Sequence, residues 1–461
     1  MKGYEKGVEG YGKEETPEHT YYAAETPESE EKSLGAFEDL FANIPVSGSI
    51  FSSPCIYDNT LFFGSCDKNF YAIDADTGRL KWKFTAGDII MSSAVACNGA
   101  VYFGSYDNNL YALDAKNGEI KWKYRTGDKI FDSPVIAEDR IYFGSADKSF
   151  YCLDAATGRV LWKFITGQPI ISEIGIVSNM VIFSSFDGHV YALHRENGSL
   201  LWKVRLPGLS GFQGFCIVDE KGAIVSDMHT RHHEKIQEIK GGSIYFVCED
   251  NNIYCLDLKG GIKWKHLTGG IGGVPIANKG VIYVGTEDTY FYALSEKGEM
   301  QWKIKTGGHI VCCAFIHDDA VYFGSFDKCL YAAGMDGAVR WKFVTGGMIS
   351  SSPYVHNNRL YVASTDTFFY CIDIKTKDIL WKFKTGFPAK FEETGKGKEI
   401  MNSLVDYKRK IFKVWKPETM AGKMAESPAK SAYHGDSPST IYGASSPYSM
   451  KKGRGKGARY G

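Results

Sequence analysis

Several things are scarce in this chain, and each absence narrows the field. No run of about eighteen apolar residues occurs anywhere in its 461 residues, so no segment reads as a membrane-spanning helix. The opening stretch, MKGYEKGVEGYGKEE, has no apolar core of the kind an export signal needs. The eleven cysteines are odd in number, all lie between Cys55 and Cys371, and follow no disulfide-scaffold spacing. Such cysteines read as small buried residues in a reducing compartment, and the expectation is a cytoplasmic protein. No P-loop, dinucleotide fingerprint or nucleophile–base pair is present. Net charge is also missing: 54 Lys or Arg balance 54 Asp or Glu, which gives no whole-chain argument for a nucleic-acid or membrane partner.

The balance conceals segregation. Residues 1–35 hold four Lys and nine Glu, a net of −5, while residues 386–461 hold fifteen Lys or Arg and seven acids, a net of +8. An acidic head and a basic tail flank a nearly neutral body.

Against these absences stands one strong pattern. Tryptophans recur at Trp82, Trp122, Trp162, Trp202, Trp264, Trp302, Trp341 and Trp381, with gaps of 40, 40, 40, 62, 38, 39 and 40 residues. A fixed period in this range signals a solenoid, propeller or array. The unit SSAVACNGAVYFGSYDNNLYALDAKNGEIKWKYRTG holds four short runs rich in Val, Ile, Tyr and Phe, broken at Asn98-Gly99, Asp107-Asn108-Asn109 and Lys116-Asn117-Gly118. Runs this short, dominated by β-branched and aromatic residues, predict strands joined by tight turns rather than helices. Four strands in about forty residues is the pattern of a propeller blade. The fold class read from the sequence is therefore all-β: an eight-bladed β-propeller of four-stranded antiparallel blades with disordered or partly helical termini.

Two further residues recur with structural jobs. Gly78, Gly118, Gly158, Gly198, Gly260, Gly298 and Gly337 each lie four residues before a Trp and are expected to supply positive φ in the last hairpin turn. Asp67, Asp107, Asp147, Asp187, Asp250, Asp288, Asp327 and Asp366 lie fourteen or fifteen residues before each Trp and are expected to bond backbone in the middle turn. The Asp-Asn turns lack the oxygen-ligand run and closing Glu of a Ca²⁺ loop. The Trp rings are expected to cover the seams between blades.

These residues carry a resemblance. The run Ala112-x-Asp114-x-x-Asn117-Gly118-x-x-x-Trp122 resembles the tryptophan-docking motif A-x-D-x-x-T-G-x-x-x-W of the PQQ-like β-propeller repeat family. Ala72–Trp82 and Cys152–Trp162 are the cleanest copies, and the likeness spans roughly residues 51–386. Single departures occur at His194, Ser295, Gly334 and Lys377. The family includes quinoprotein alcohol dehydrogenases, which are enzymes, and the outer-membrane assembly lipoprotein and sensor domains, which bind partners without chemistry. The fold alone does not choose between them.

The dehydrogenase resemblance implies pyrroloquinoline quinone (PQQ) with Ca²⁺, sandwiched by a vicinal disulfide and a Trp, with an Asp as base. The chain has one vicinal pair, Cys312-Cys313, at the start of the innermost strand of blade 7 by repeat alignment. It has no Trp outside the repeating positions within the array. The equivalent positions in other blades are Ser52-Ser53, Ser92-Ser93, Asp132-Ser133, Ser172-Glu173, Phe212-Gln213 and Ser351-Ser352, a polar ring at the channel entrance. Asp132 and Glu173, on adjacent blades, are its acid pair and a candidate channel site with Cys312 and Cys313. The plainer reading is a ring that solvates a water-filled channel.

The gap between Trp202 and Trp264 exceeds the period by 22 residues, which places an insertion at about 220–242 in blade 5. Ser226 or Asp227 is expected to cap a short helix through Glu238, bringing His229, His232 and His233 to one face as candidate metal ligands. The plainer reading is a polar surface excursion, of the sort that often binds partners.

Residues 1–35 read as a disordered acidic segment and 36–50 as a lead-in. Residues 387–416 read as a linker and a basic amphipathic helix (IMNSLVDYKRKIFKVWK), and 417–461 as a disordered, basic, low-complexity tail. The functional reading is a non-enzymatic, monomeric interaction scaffold with no cofactor, binding proteins through its faces and the blade 5 insertion. Two alternatives stay open: an oxidoreductase or sensor holding PQQ or a metal in the channel, and a tether to an acidic partner, nucleic acid or membrane through the basic tail.

Overall fold

A computed structural model describes residues 48–386 except 208–213, 230, 249 and 271. The chain divides into two compact units, Met1–Arg409 and Lys410–Gly461, and every described residue belongs to the first. The acidic head, the lead-in to residue 47, the amphipathic segment 400–416 and the basic tail lie outside the described residues.

Among the described residues thirty-four strands build eight sheets, antiparallel except for one short pair in blade 3, and no helix occurs. Each sheet takes its strands in chain order from the centre outward, as in blade 2: Val95–Cys97, Ala100–Gly104, Asn109–Asp114 and Ile120–Arg125. Six blades have four strands. Blade 5 gains an inner hairpin strand, Ile224–Ser226, and blade 3 gains a two-residue strand, His232–His233, supplied by blade 5. Each blade's own strands come from one contiguous repeat. The ring closes through side chains: Thr385 Oγ1 donates to Gly48 O, and the Ser352 N–H donates to Ser53 Oγ at 3.2 Å.

The two middle strands of a blade are buried along nearly their whole length, because a neighbouring sheet packs on each face. Their short continuous apolar runs reflect that two-sided burial. Rings stack across the seams, Phe70 on Phe103 at 3.9 Å and Phe291 on Phe323 at 4.0 Å between centroids. Among the described residues the outermost strands have no outer partner, and they are exposed at alternate positions.

The repeated Trp, Gly and Asp act together at each seam. The Trp82 indole N–H donates to Ala115 O of blade 2 at 3.1 Å, and its ring lies where a Cβ on Gly118 would stand, 2.6 Å from Cε3. Gly118 also has φ +76°, so both its backbone conformation and its neighbour demand glycine. The same donation recurs from Trp122, Trp162, Trp202, Trp264, Trp302 and Trp381. Blade 8 has Lys377 at the turn, still at φ +68°. The Asp does more than cap its turn: Asp107 Oδ1 accepts the Asn109 N–H at 3.0 Å, while Oδ2 accepts the Tyr111 hydroxyl at 2.7 Å and the Gly87 N–H of blade 1 at 2.7 Å.

Candidate functional site

The ring of small residues around the channel is a fastening. Each pair sits in the bend just before the innermost strand, two residues earlier than repeat alignment suggests. The first member ties its own blade together: Ser92 Oγ accepts the Gly104 N–H at 3.1 Å, and Ser52 and Ser351 make the same link to Gly64 and Ala363. The second member ties one blade to the next: Ser93 Oγ accepts the Ser53 N–H at 2.9 Å, Ser133 Oγ the Ser93 N–H at 3.0 Å, and Ser352 Oγ the Cys313 N–H at 3.0 Å. These serines are buried. In place of the expected solvated ring at a channel entrance, blades 7, 8, 1, 2 and 3 are joined in series by a ladder whose hydroxyls are spent on backbone. Phe212 and Gln213 lie outside the described residues.

Two acidic members break the serine pattern, Asp132 in blade 3 and Glu173 in blade 4, and the insertion explains them. It forms neither a helix nor a surface excursion. After the hairpin the chain crosses the propeller as an extended strap. Ser226 Oγ accepts the Ile176 N–H of blade 4 at 3.2 Å. Met228 Sδ lies 3.1 Å from Ser352 Oγ of blade 8. The His229 Nε2–H donates to Ala314 O of blade 7 at 3.0 Å, with its ring edge-on to Phe315 at 4.9 Å. Arg231 O and His233 O then accept the Ile136 and Glu138 N–H groups of blade 3 at 2.8 and 2.9 Å, which makes a short parallel ladder. Blades 3 and 7 are four apart in a ring of eight, so a segment touching the innermost strands of both lies across the channel.

At the centre of the strap is Arg231, only 6% exposed. Its Nη2 faces Glu173 Oε1 at 3.8 Å, and neither Nε nor Nη2 makes a hydrogen bond among the described residues. Asp132, partly buried, holds its Oδ1 on the Ser133 N–H at 2.7 Å. Burial pushes the Asp132 carboxyl up to about 6, against the pull of the Ser133 N–H and of Arg231. Burial, with the Asp132 charge second, pushes Glu173 up to about 8, against Arg231. Burial holds His229 below the usual histidine range. The acid pair thus meets a cation from its own chain. A buried arginine without opposing charge costs several kcal/mol; Asp132, the lower of the two acids, supplies that charge near neutral pH, while Glu173 favours its protonated form there.

The remaining candidates fall apart geometrically. His229 turns to blade 7, whereas His232 and His233 are consecutive in a strand and point to opposite faces, so the three share no face. Among the described residues no group of three His, Cys, Asp or Glu is arranged to hold a metal ion. Cys312 and Cys313 occupy ladder positions. Cys312 Sγ accepts the Gly324 N–H at 3.2 Å as serine does elsewhere, and Cys313 Sγ donates to Ala314 O at 3.4 Å. Both are buried free thiols, packed in one cluster with Met228 of the strap. Burial pushes Cys312 up to about 11 and Cys313 well above the usual thiol range, so neither is a ready nucleophile. A quinone platform at this pair does not fit: both sulfurs are engaged with backbone of their own blade, and Met228 of the strap packs into the same cluster.

Arg231, Asp227, Met228 and Ser226 were not among the site residues expected from sequence. The available signal was the loss of the serine pattern in two adjacent blades of a chain with one long insertion.

Comparison with known proteins agrees with this architecture. Residues 37–277, just over half of the chain, match the family described as "Beta-alanine-activating enzyme, beta-propeller", and residues 292–403 match "Outer membrane protein assembly factor BamB". No curated protein matches. Among solved structures the chain is similar to BamB from Moraxella catarrhalis (17% identity, TM-score 0.52, covering 68% of this chain and 91% of that one). It is also similar to the computationally designed Ika8 protein (14%, 0.58, 70% and 96%) and to a europium-containing methanol dehydrogenase (13%, 0.56, 69% and 83%). Identities this low bear on fold alone.

Proposed function

Because the chain belongs to the PQQ-like β-propeller family, and within it to the family of the β-alanine-activating enzyme β-propeller, we propose that it is a non-enzymatic platform for protein partners. The observation that carries this reading is the strap. The channel is where a propeller of this kind has room for a small ligand, and here the chain's own residues 226–229 and 231–233 lie across it, fastened to blades 3, 4, 7 and 8. What remains for recognition is the outside of the ring: its loops and its eight outer edges, which have no outer strand partner among the described residues. A ring fastened blade to blade presents those surfaces at little ordering cost. The eleven free cysteines support a reducing, cytoplasmic setting for it.

Native mass spectrometry of the full chain purified from its source, beside the denatured chain, tests the reading. The expected result is the bare chain mass, alone or with an added polypeptide. A small-molecule or metal mass that disappears on denaturation overturns it.

A further inference from the structure

The outer edges of the propeller carry a charge pattern that the fold does not need. The eight outermost strands together hold sixteen Lys or Arg and no Asp or Glu, in a chain whose total charges balance. The residue after every repeated Trp is a lysine, for instance Lys83, Lys123 and Lys163, and each pairs across the sheet with a tyrosine whose hydroxyl donates to the turn Asp, as Lys123 does with Tyr111.

Two residues further on, the blades alternate. Blades 2, 4, 6 and 8 place a second cation there, in the pairs Lys123/Arg125, Lys203/Arg205, Lys303/Lys305 and Lys382/Lys384. Blades 1, 3, 5 and 7 place Thr85, Ile165, Leu267 and Val344. Residues two apart in a strand share a face, about 7 Å from one another. In blades 6 and 8 an aromatic ring holds both cations to that face: Lys303 and Lys305 lie 4.2 and 5.9 Å from the Tyr290 ring centre, and Lys382 and Lys384 lie 4.8 and 5.9 Å from Phe368. All eight paired cations are exposed.

Among the described residues each outermost strand is also the end of its sheet, so half of its backbone groups face outward without a described strand partner. An extended peptide can add there as a fifth strand, and its side chains then alternate with the same two-residue period as the cations. We propose that the outer edges of blades 2, 4, 6 and 8 bind extended acidic segments of partner proteins by strand addition, with carboxylates at alternate positions against the paired cations. This rests on the platform reading and names the partner's chemistry. The four remaining cations, Lys81, Lys121, Lys263 and Arg340, stand just before the Trp, so blades 1, 5 and 7 also carry two exposed cations and the alternation holds only for the position after the Trp. Three of the four are engaged within their own blade: Lys81 and Lys121 face Asp74 and Asp114 at 3.6 and 3.4 Å, and Lys263 Nζ donates to Gly242 O at 2.6 Å. Protection against self-pairing gives no reason for the alternation after the Trp. Nucleic acid fits less well, since the aromatic rings of these strands turn into the blade seams and are half-buried, which leaves no platform for bases.

Hydrogen exchange read by mass spectrometry on the full chain tests the proposal, with a peptide of about ten alternating Glu and Thr residues, enough to span an edge strand. The expected result is slowed exchange in Ile120–Arg125, Leu200–Arg205, Met300–Lys305 and Ile379–Lys384, none in the outermost strands of the other four blades, and loss of the effect at high salt. In the variant Lys303→Gln/Lys305→Gln, protection disappears from blade 6 and persists in the other three blades; Lys303→Arg/Lys305→Arg keeps it. No protection, equal protection of all eight edges, equal protection by an oligothymidylate of the same charge, or blade 6 protection that survives the glutamine variant overturns the proposal. A natural partner still bound to a variant neutralised at all four paired edges removes the edge proposal and leaves the platform reading standing. A small molecule found in the channel removes the platform reading.

Discussion

Two substitutions at equivalent turns should act with opposite sign. Gly118→Ala puts a side chain on a residue at φ +76°, which costs an L-residue about 1–2 kcal/mol. The new Cβ meets Trp82 Cε3 at 2.6 Å, against backbone that cannot retreat, so the indole has to move. Its 3.1 Å bond to Ala115 O is then strained or lost, at about 1 kcal/mol, along with part of the packing under the ring. The unfolded chain returns about 0.5–1 kcal/mol because alanine is the stiffer residue. The net expectation is a loss of about 2–4 kcal/mol. Lys377 stands at the corresponding turn of blade 8, at φ +68°, 36 residues after Trp341 just as Gly118 follows Trp82. Trp341 is also the one repeated Trp without an indole hydrogen bond among the described residues. Lys377→Gly relieves the backbone at about 1–2 kcal/mol, gives back about 0.5–1 through the looser unfolded chain, and gains about 1 more where Trp341 settles onto a carbonyl. The expected gain is about 1–2 kcal/mol. Urea unfolding is the better assay, because in a ring this large each kcal/mol moves the melting temperature by only about 1–2 °C. A Lys377→Gly variant less stable than the parent, or a Gly118→Ala variant within about 0.5 kcal/mol of it, refutes the account of the seam.

Three further outcomes follow from the channel. Glu173 prefers its neutral form in the fold, so the folded chain holds a proton there that the unfolded chain releases; its stabilisation is complete below about 4.5 and is lost as pH rises through about 8. Glu173→Gln should therefore flatten the fall in stability over that interval, and an unchanged slope in urea titrations at several pH values refutes the assignment. Arg231→Met removes the cation and leaves its acids, with an expected loss of about 3–5 kcal/mol and faster exchange of the Ile136 and Glu138 amides that the strap covers. Cys312→Ser should keep stability within about 1 kcal/mol, since Ser52, Ser92, Ser172 and Ser351 fill the same position, whereas Cys312→Ala leaves the Gly324 N–H without its acceptor and costs about 1–3 kcal/mol.

How far the sequence is legible depends on whether a residue's task is local and repeated. The glycine four before each Trp predicts a positive-φ turn, and seven of seven such glycines show it, because turn chemistry is settled within a few residues. The Asp is legible as a turn former, but its link to the preceding blade is not, since Gly87 and Asp107 are joined only once blades 1 and 2 pack together. The insertion fails for the same reason on a larger scale. Its local pattern of cap and spaced histidines favours a helix, while its actual partner is the backbone of Val135–Ala137, some ninety residues earlier, and an unpaired inner edge outweighs local preference. The clue lay elsewhere in the chain. Two acids replace serines in a buried ladder, and buried acids call for a cation; the one long insertion is where an unmatched arginine had room to supply it. The alternating second cation on the rim was equally present in the string of letters. Lys123 and Arg125 become a pair only when the strand is known to be an outer edge with that face exposed, so the same two letters carry no partner chemistry until the fold assigns them a side.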